Sequence, residues 1–70
     1  MRKDQAIEFF GSQAALARAL GIEQPSVAEW GDKVPWRRQL QIERLTGGLL
    51  RHNPKDIPAD MRGLIRVEAA

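Results

Sequence analysis

Two helix-length runs meet at a single glycine in this chain, and that junction restricts the possible folds more than any other feature. Residues 11–30 read GSQAALARALGIEQPSVAEW. Leu16 and Leu20 stand four apart with Ala17 beside them, the spacing of one buried face of a helix over residues 13–20. Ser12 precedes the run where an N-cap belongs, its hydroxyl able to accept from a first-turn amide. Gly21 follows it where a left-handed residue closes a helix at little steric cost. A further helix begins at Gln24, and Pro25 is tolerated in its first turn because the missing N–H has no intrahelical use there.

Two helices that cross steeply through a turn of three or four residues make three demands. They need a small residue where the backbones approach, a turn residue that accepts positive φ, and apolar residues that lock the pair. Ala17 is the small residue and Gly21 the turn; Leu16, Leu20, Ile22, Val27 and Trp30 form the lock. The spacing Ala-x₃-Gly-x₅-Val is the specific part of the pattern. On a wheel of about 100° per residue, Val27 and Trp30 fall on one side of the helix after the turn. Pro25, Glu29 and Asp32 fall on the other, flanked by Ser26 and Ala28. One side packs and the other is presented.

The remaining segments read as helices around this unit. Residues 3–10 form a first helix with Ile7 and Phe10 on one face and Ala6 beside them, ended by Gly11. Gly31 and Pro35 bracket a loop, and a fourth helix runs from Trp36 to Thr46 before Gly47 and Gly48 stop it. Its apolar residues lie on two sides, Trp36 and Leu40 against Ile42 and Leu45. That predicts a helix sandwiched between the first three and a further layer, either residues 49–70 or a second subunit. The remainder carries Pro54 and Pro58 and the apolar pairs Ile57 with Met61 and Leu64 with Ile65. It reads as a turn, one short helix near 59–64 and a frayed end. The expected organisation is a single all-α domain of four to five short helices, with residues 1–50 as the helix-turn-helix domain and 51–70 as a partly ordered tail.

Composition excludes several functions. A single core in 70 residues shields only about 60% of the surface that the unfolded chain exposes. It is too small to enclose a pocket of several hundred cubic ångströms, so no catalytic residue and no small-molecule substrate are expected. There is no Cys, and the lone His52, expected at the surface, cannot build a metal site; no cofactor is implied. No run has signal-peptide or membrane-span character, so a soluble, cytoplasmic protein without a membrane partner is expected. The net charge of +2 permits an anionic partner. Its excess lies in residues 1–51, with eight basic side chains against six acidic, and Lys33, Arg37 and Arg38 flank the helix-turn-helix.

The stretch resembles the helix-turn-helix of the Cro repressors of lambdoid phages, in particular the all-helical members of that family. DQAIEFFGSQAALARALGI is similar to the family's apolar first helix ending in Phe-Gly and its capped second helix. VPWRRQLQIERLTGGLL is similar to its Pro-initiated fourth helix and glycine stop. Related small prophage regulators, some antitoxin-like, share the same run. The resemblance covers about residues 4–50.

It implies a lambda-repressor-like fold and a sequence-specific transcriptional repressor in a bacterial host cell, nucleoid-associated when bound. The third helix would enter the major groove of a pseudo-palindromic double-stranded DNA operator. Gln13 would contact a phosphate, and Gln24, Pro25, Ser26 and Glu29 would take base-facing positions. The wheel independently sets Pro25, Ser26 and Glu29 on the free surface, with Gln24 at the helix tip. Gln can pair bidentately with adenine, Glu can accept from the cytosine amino group, and Pro offers an apolar contact to a thymine methyl. Lys33, Arg37 and Arg38 are suited to phosphate contacts; the alternative for Arg37 and Arg38 is a solvated helix start. The acidic Glu23, Glu29 and Asp32 nearby predict low affinity for DNA of arbitrary sequence. One such helix reads few base pairs, so two copies on half-sites about 34–36 Å apart are required, as a weak homodimer strengthened on DNA.

The rival reading is a helical module, or an antitoxin-like regulator, that binds a protein partner through Trp36, Ile42 and Leu45. DNA binding weakens steeply with salt and an apolar interface does not, which separates the two.

Overall fold

The computed structural model describes residues 1–63. Five α-helices and one 3₁₀ turn follow one another: α1 (Lys3–Phe10), α2 (Gln13–Leu20), α3 (Gln24–Glu29), α4 (Trp36–Leu45), the turn Pro54–Asp56, and α5 (Ala59–Arg62). Among the described residues the only strand-like pairing is an isolated antiparallel bridge between Arg2 and Lys33. The chain is therefore all-α, with the elements where hydrophobic spacing and glycine stops put them.

The second helix is the centre of the fold and packs on α1, α3 and α4. Its Leu16, Ala17 and Leu20 join Ala6, Val27, Val34 and Ile42 in a buried cluster, with Ile7, Phe10, Ile22, Trp30 and Leu50 packed against it. Small Ala17 lets α3 approach, as the steep crossing requires. The Ser12 hydroxyl accepts from the Ala15 N–H at 3.0 Å, satisfying one first-turn donor. At the other end Gly21 is left-handed, with φ +73°. The Ile22 N–H donates back to the Ala17 carbonyl (3.0 Å) and the Gly21 N–H to that of Arg18 (3.2 Å). Those paired bonds close the helix and aim the chain into α3.

Four expectations need correction. Trp30 was expected in the core; it is half-buried at the core's edge, and its carbonyl accepts from the Lys3 ammonium at 3.2 Å. Ile42 and Leu45 do not share a buried face: Ile42 is fully buried and Leu45 is 51% exposed. Their three-residue offset carries Leu45 past the edge of the core. The fourth helix ends at Leu45, with Thr46 as its cap. Finally, His52 is not a surface residue. It is 8% exposed, with its ring Nδ1 at 2.5 Å from Glu43 Oε1, an atom that also accepts from the His52 backbone N–H at 2.7 Å. A polar residue after a glycine turn looks solvent-facing in sequence, but Glu43 on α4 holds it inward.

The segment after α4 is pinned to the body. Ile57 is buried, and Asn53 and Asp56 both bond to Gln39. The anticipated short helix is present as Ala59–Arg62. The expected frayed end and the Leu64 with Ile65 pair lie outside the described residues.

Candidate nucleic-acid interface

The third helix has one buried residue, Val27, and an outer surface left to solvent. Gln24, Pro25, Ala28 and Glu29 are exposed and Ser26 is half-buried. Pro25 sits in the first turn, where its missing N–H interrupts no helix bond, and the Ser26 N–H closes the turn on the Glu23 carbonyl at 3.0 Å. The helix ends when Trp30 turns extended, so the presented surface is under two turns long.

Gln13, at the start of α2, comes next to this surface. Together with Gln24, Pro25 and Ala28 it lines an open depression of about 330 Å³. Its lining combines two apolar residues, Pro25 and Ala28, with two that carry carboxamides, Gln13 and Gln24. Such a surface can accept and donate hydrogen bonds in a plane and take a methyl group beside them. Of the expected base-facing residues, Gln24 and Pro25 line the depression; Ser26 and Glu29 do not. Glu23, Glu29 and Asp32 are exposed, and none joins the ion pairs found among the described residues.

The three cations lie in different surroundings. Arg38 is half-buried and donates to Gln41 Oε1 at 2.6 Å, while the Gln41 amide donates to the Leu20 carbonyl at 3.1 Å. Leu20 is the last residue of α2, so Gln41 satisfies an otherwise unpaired helix-end carbonyl and holds Arg38 beside the turn. Arg37 is exposed and stacks over the Trp36 ring, 5.0 Å from its centroid. Trp36, read either as packed or as exposed, is half-buried beneath it. Lys33 is already engaged: its backbone is bridged to Arg2, and its ammonium pairs with Asp56 Oδ1 at 3.2 Å.

Sequence reasoning missed the group that fixes this loop. Gln39 is fully buried. Its amide donates to the Val34 carbonyl (2.8 Å) and to Asp56 Oδ2 (3.0 Å). Its Oε1 accepts from the Asn53 N–H (2.8 Å) and from the Met1 ammonium (3.3 Å). The hydrogen bond from Gln39, with Lys33 second, holds the Asp56 carboxyl below the ordinary carboxylate range. The available signal was the polar residue at the centre of α4, three before Ile42 and so on the same face.

No helix among the described residues is long and apolar enough to cross a membrane. No cluster of three or more His, Asp or Glu among them could hold a metal ion.

The family model described as DNA-binding transcriptional regulator Cro matches residues 2–61. A repressor protein of the division inhibition gene dicB from Escherichia coli K12 is 41% identical over 56 residues, covering 79% of this chain and 74% of that protein. The regulatory protein cro of Salmonella phage P22 is 36% identical over 52 residues, covering 74% of this chain and 85% of that one. No solved structure matches the chain.

Proposed function

Because the chain belongs to the Cro family of DNA-binding transcriptional regulators, we propose that it is a sequence-specific repressor that reads an operator with the outer surface of α3 in the major groove. Two relatives named as a repressor and as a regulatory protein support the repressing role. The observation that carries the reading is the depression between α2 and α3, where Gln13, Gln24, Pro25 and Ala28 meet. A carboxamide beside an apolar floor suits an A·T pair, with Gln24 bonded to adenine N6 and N7 and the thymine methyl against Pro25 and Ala28. Glu29 and Ser26 reach neighbouring pairs, and Glu29 accepts from a cytosine amino group. Gln13 bonds a phosphate from the start of α2. Arg38, held by Gln41, and Arg37 provide cationic phosphate contacts that fix the helix in register.

Repression follows from occupancy: a protein seated in the operator excludes whatever else must use those base pairs. A helix of under two turns reads too few pairs to be selective, so two copies on a pseudo-palindrome are required. The described body measures 32 × 24 × 18 Å. Two such bodies on half-sites about 34–36 Å apart meet over a narrow contact, which makes a weak homodimer that DNA strengthens. Leu45 and Leu49, exposed at the end of α4, supply apolar surface for it. The rival surface through Ile42 has no support, since that side chain is fully buried.

Selection from a random duplex pool tests the reading. Enrichment of a pseudo-palindrome with half-site centres one helical turn apart is expected. A pool that remains random after repeated selection overturns it.

A further inference from the structure

Lys33 presents a charge that is already matched. Its side chain is 68% exposed, yet its ammonium lies 3.2 Å from Asp56 Oδ1. Asp56 is the fixed half of the pair, only 15% exposed. Its other oxygen accepts from the buried Gln39 amide at 3.0 Å and faces the Met1 ammonium at 3.8 Å. The carboxylate therefore cannot swing away, and the lysine backbone is itself tethered by the bridge to Arg2. The exposed Arg37, by contrast, has an aromatic ring as its neighbour, and Arg38 a neutral carboxamide. Of the three flanking cations, one carries a built-in counter-charge.

We infer that Asp56 acts as an intramolecular competitor for DNA phosphate at Lys33, limiting the number of phosphates the protein engages on any duplex. The inference rests on the proposed DNA-binding reading. A cation contributes to affinity largely by releasing counterions condensed on the phosphates. Lys33 can do so only by leaving Asp56, which then remains as an uncompensated negative charge beside the polyanion. The pair therefore holds down binding that does not depend on sequence, while the base contacts of α3 are untouched.

The test is the salt dependence of binding to a random duplex, followed by fluorescence anisotropy. Asp56→Asn keeps an acceptor for Gln39 and removes the charge. It is expected to steepen the plot of log affinity against log salt by about 0.9, one phosphate. The loss of affinity between 50 and 200 mM salt then grows by about threefold. Lys33→Met added to Asp56→Asn is expected to restore the parental slope. Asp60→Asn, which changes net charge equally at an exposed position of α5, is expected to leave it unchanged. A parental slope in Asp56→Asn, a steepening that survives Lys33→Met, or equal steepening by Asp60→Asn each overturns the inference. If circular dichroism finds Asp56→Asn unfolded, Asp56→Ser, which also offers Gln39 an acceptor, takes its place with the same expectations. Arg38→Ala in the same titration reads the proposed phosphate contact separately. A flattened slope there beside an unaltered Asp56→Asn overturns this inference alone, whereas no effect in either sinks both.

Discussion

Replacing Gln39 by leucine tests whether the interior of this small domain depends on one carboxamide. Leucine has similar bulk, so the substitution removes hydrogen bonds without opening a large cavity. The Val34 carbonyl and the Asn53 N–H lose the partners that now lie at 2.8 Å. A buried group left unpaired costs about 1–3 kcal/mol, so the two together cost about 2–6 kcal/mol. The Met1 ammonium and the Asp56 carboxylate keep partners in each other, at 3.8 Å, and Asp56 also keeps Lys33 at 3.2 Å, so they add less to the cost. The apolar surface that leucine adds offsets about 1 kcal/mol. The net expectation is a loss of about 1–5 kcal/mol. A domain of this size has only about 4–10 kcal/mol in total, so the variant stands close to unfolding. Urea denaturation followed by far-ultraviolet circular dichroism and tryptophan fluorescence measures the change. A loss under about 1 kcal/mol refutes the reasoning, because unpaired groups in the interior would have cost more.

Other expectations follow from single sites. Gly21→Val should cost about 1–3 kcal/mol by chemical denaturation, from the strain of a β-branched residue at positive φ; a Cβ there meets nothing beyond its chain neighbours within 4 Å, so the backbone strain is the leading cost. The His52 backbone N–H, first among its causes, holds the Glu43 carboxyl below its ordinary range. Its contribution is therefore full above the unfolded carboxylate value and is lost as pH falls through the lower folded one. Denaturation midpoints at a series of acid pH values should fall less steeply in Glu43→Gln than in the parent below about pH 4.3. Sedimentation without DNA should find mostly monomer at low micromolar concentration, while a palindromic operator should bind two copies cooperatively; strict one-to-one saturation on every selected site would contradict the dimer. Arg38→Ala should weaken binding to all duplexes alike and flatten the salt dependence by about one phosphate contact.

The local rules were legible in the sequence wherever a residue's own neighbours set its conformation. Ser12, Gly21 and Pro25 mark helix ends by capping, by tolerance of positive φ and by a missing donor. Those are properties of one residue and its adjacent turn, and the ends of α2 and the start of α3 fall where these residues put them. What escaped were the contacts between distant segments. Gln39 shares a helix face with Ile42, but nothing local in the sequence names Asn53 and Asp56 as the partners it is buried against. His52 reads as exposed because nothing beside it is apolar enough to bury it; Glu43, nine residues earlier, does so by hydrogen bonding. Val34 enters the core from a loop with no periodicity to mark it. At the candidate interface the exposed surface of α3 followed from the helical wheel, and Gln13 came from the family resemblance. The pairing of Lys33 with Asp56 was invisible, because it joins a loop to a turn 23 residues away.

The central claim is that the outer surface of α3 carries sequence information while the flanking cations carry none. A competition titration of Glu29→Ala against the best selected operator and each of its single-base changes tests it most directly. The account predicts that binding to random duplex stays equal or tightens slightly, since a negative charge is removed, while discrimination at one base pair falls by about 1–3 kcal/mol. Full preference retained at every position would contradict Glu29 as a reader. The same result from Gln24→Ala and Ser26→Ala would contradict hydrogen-bonded readout of bases by α3.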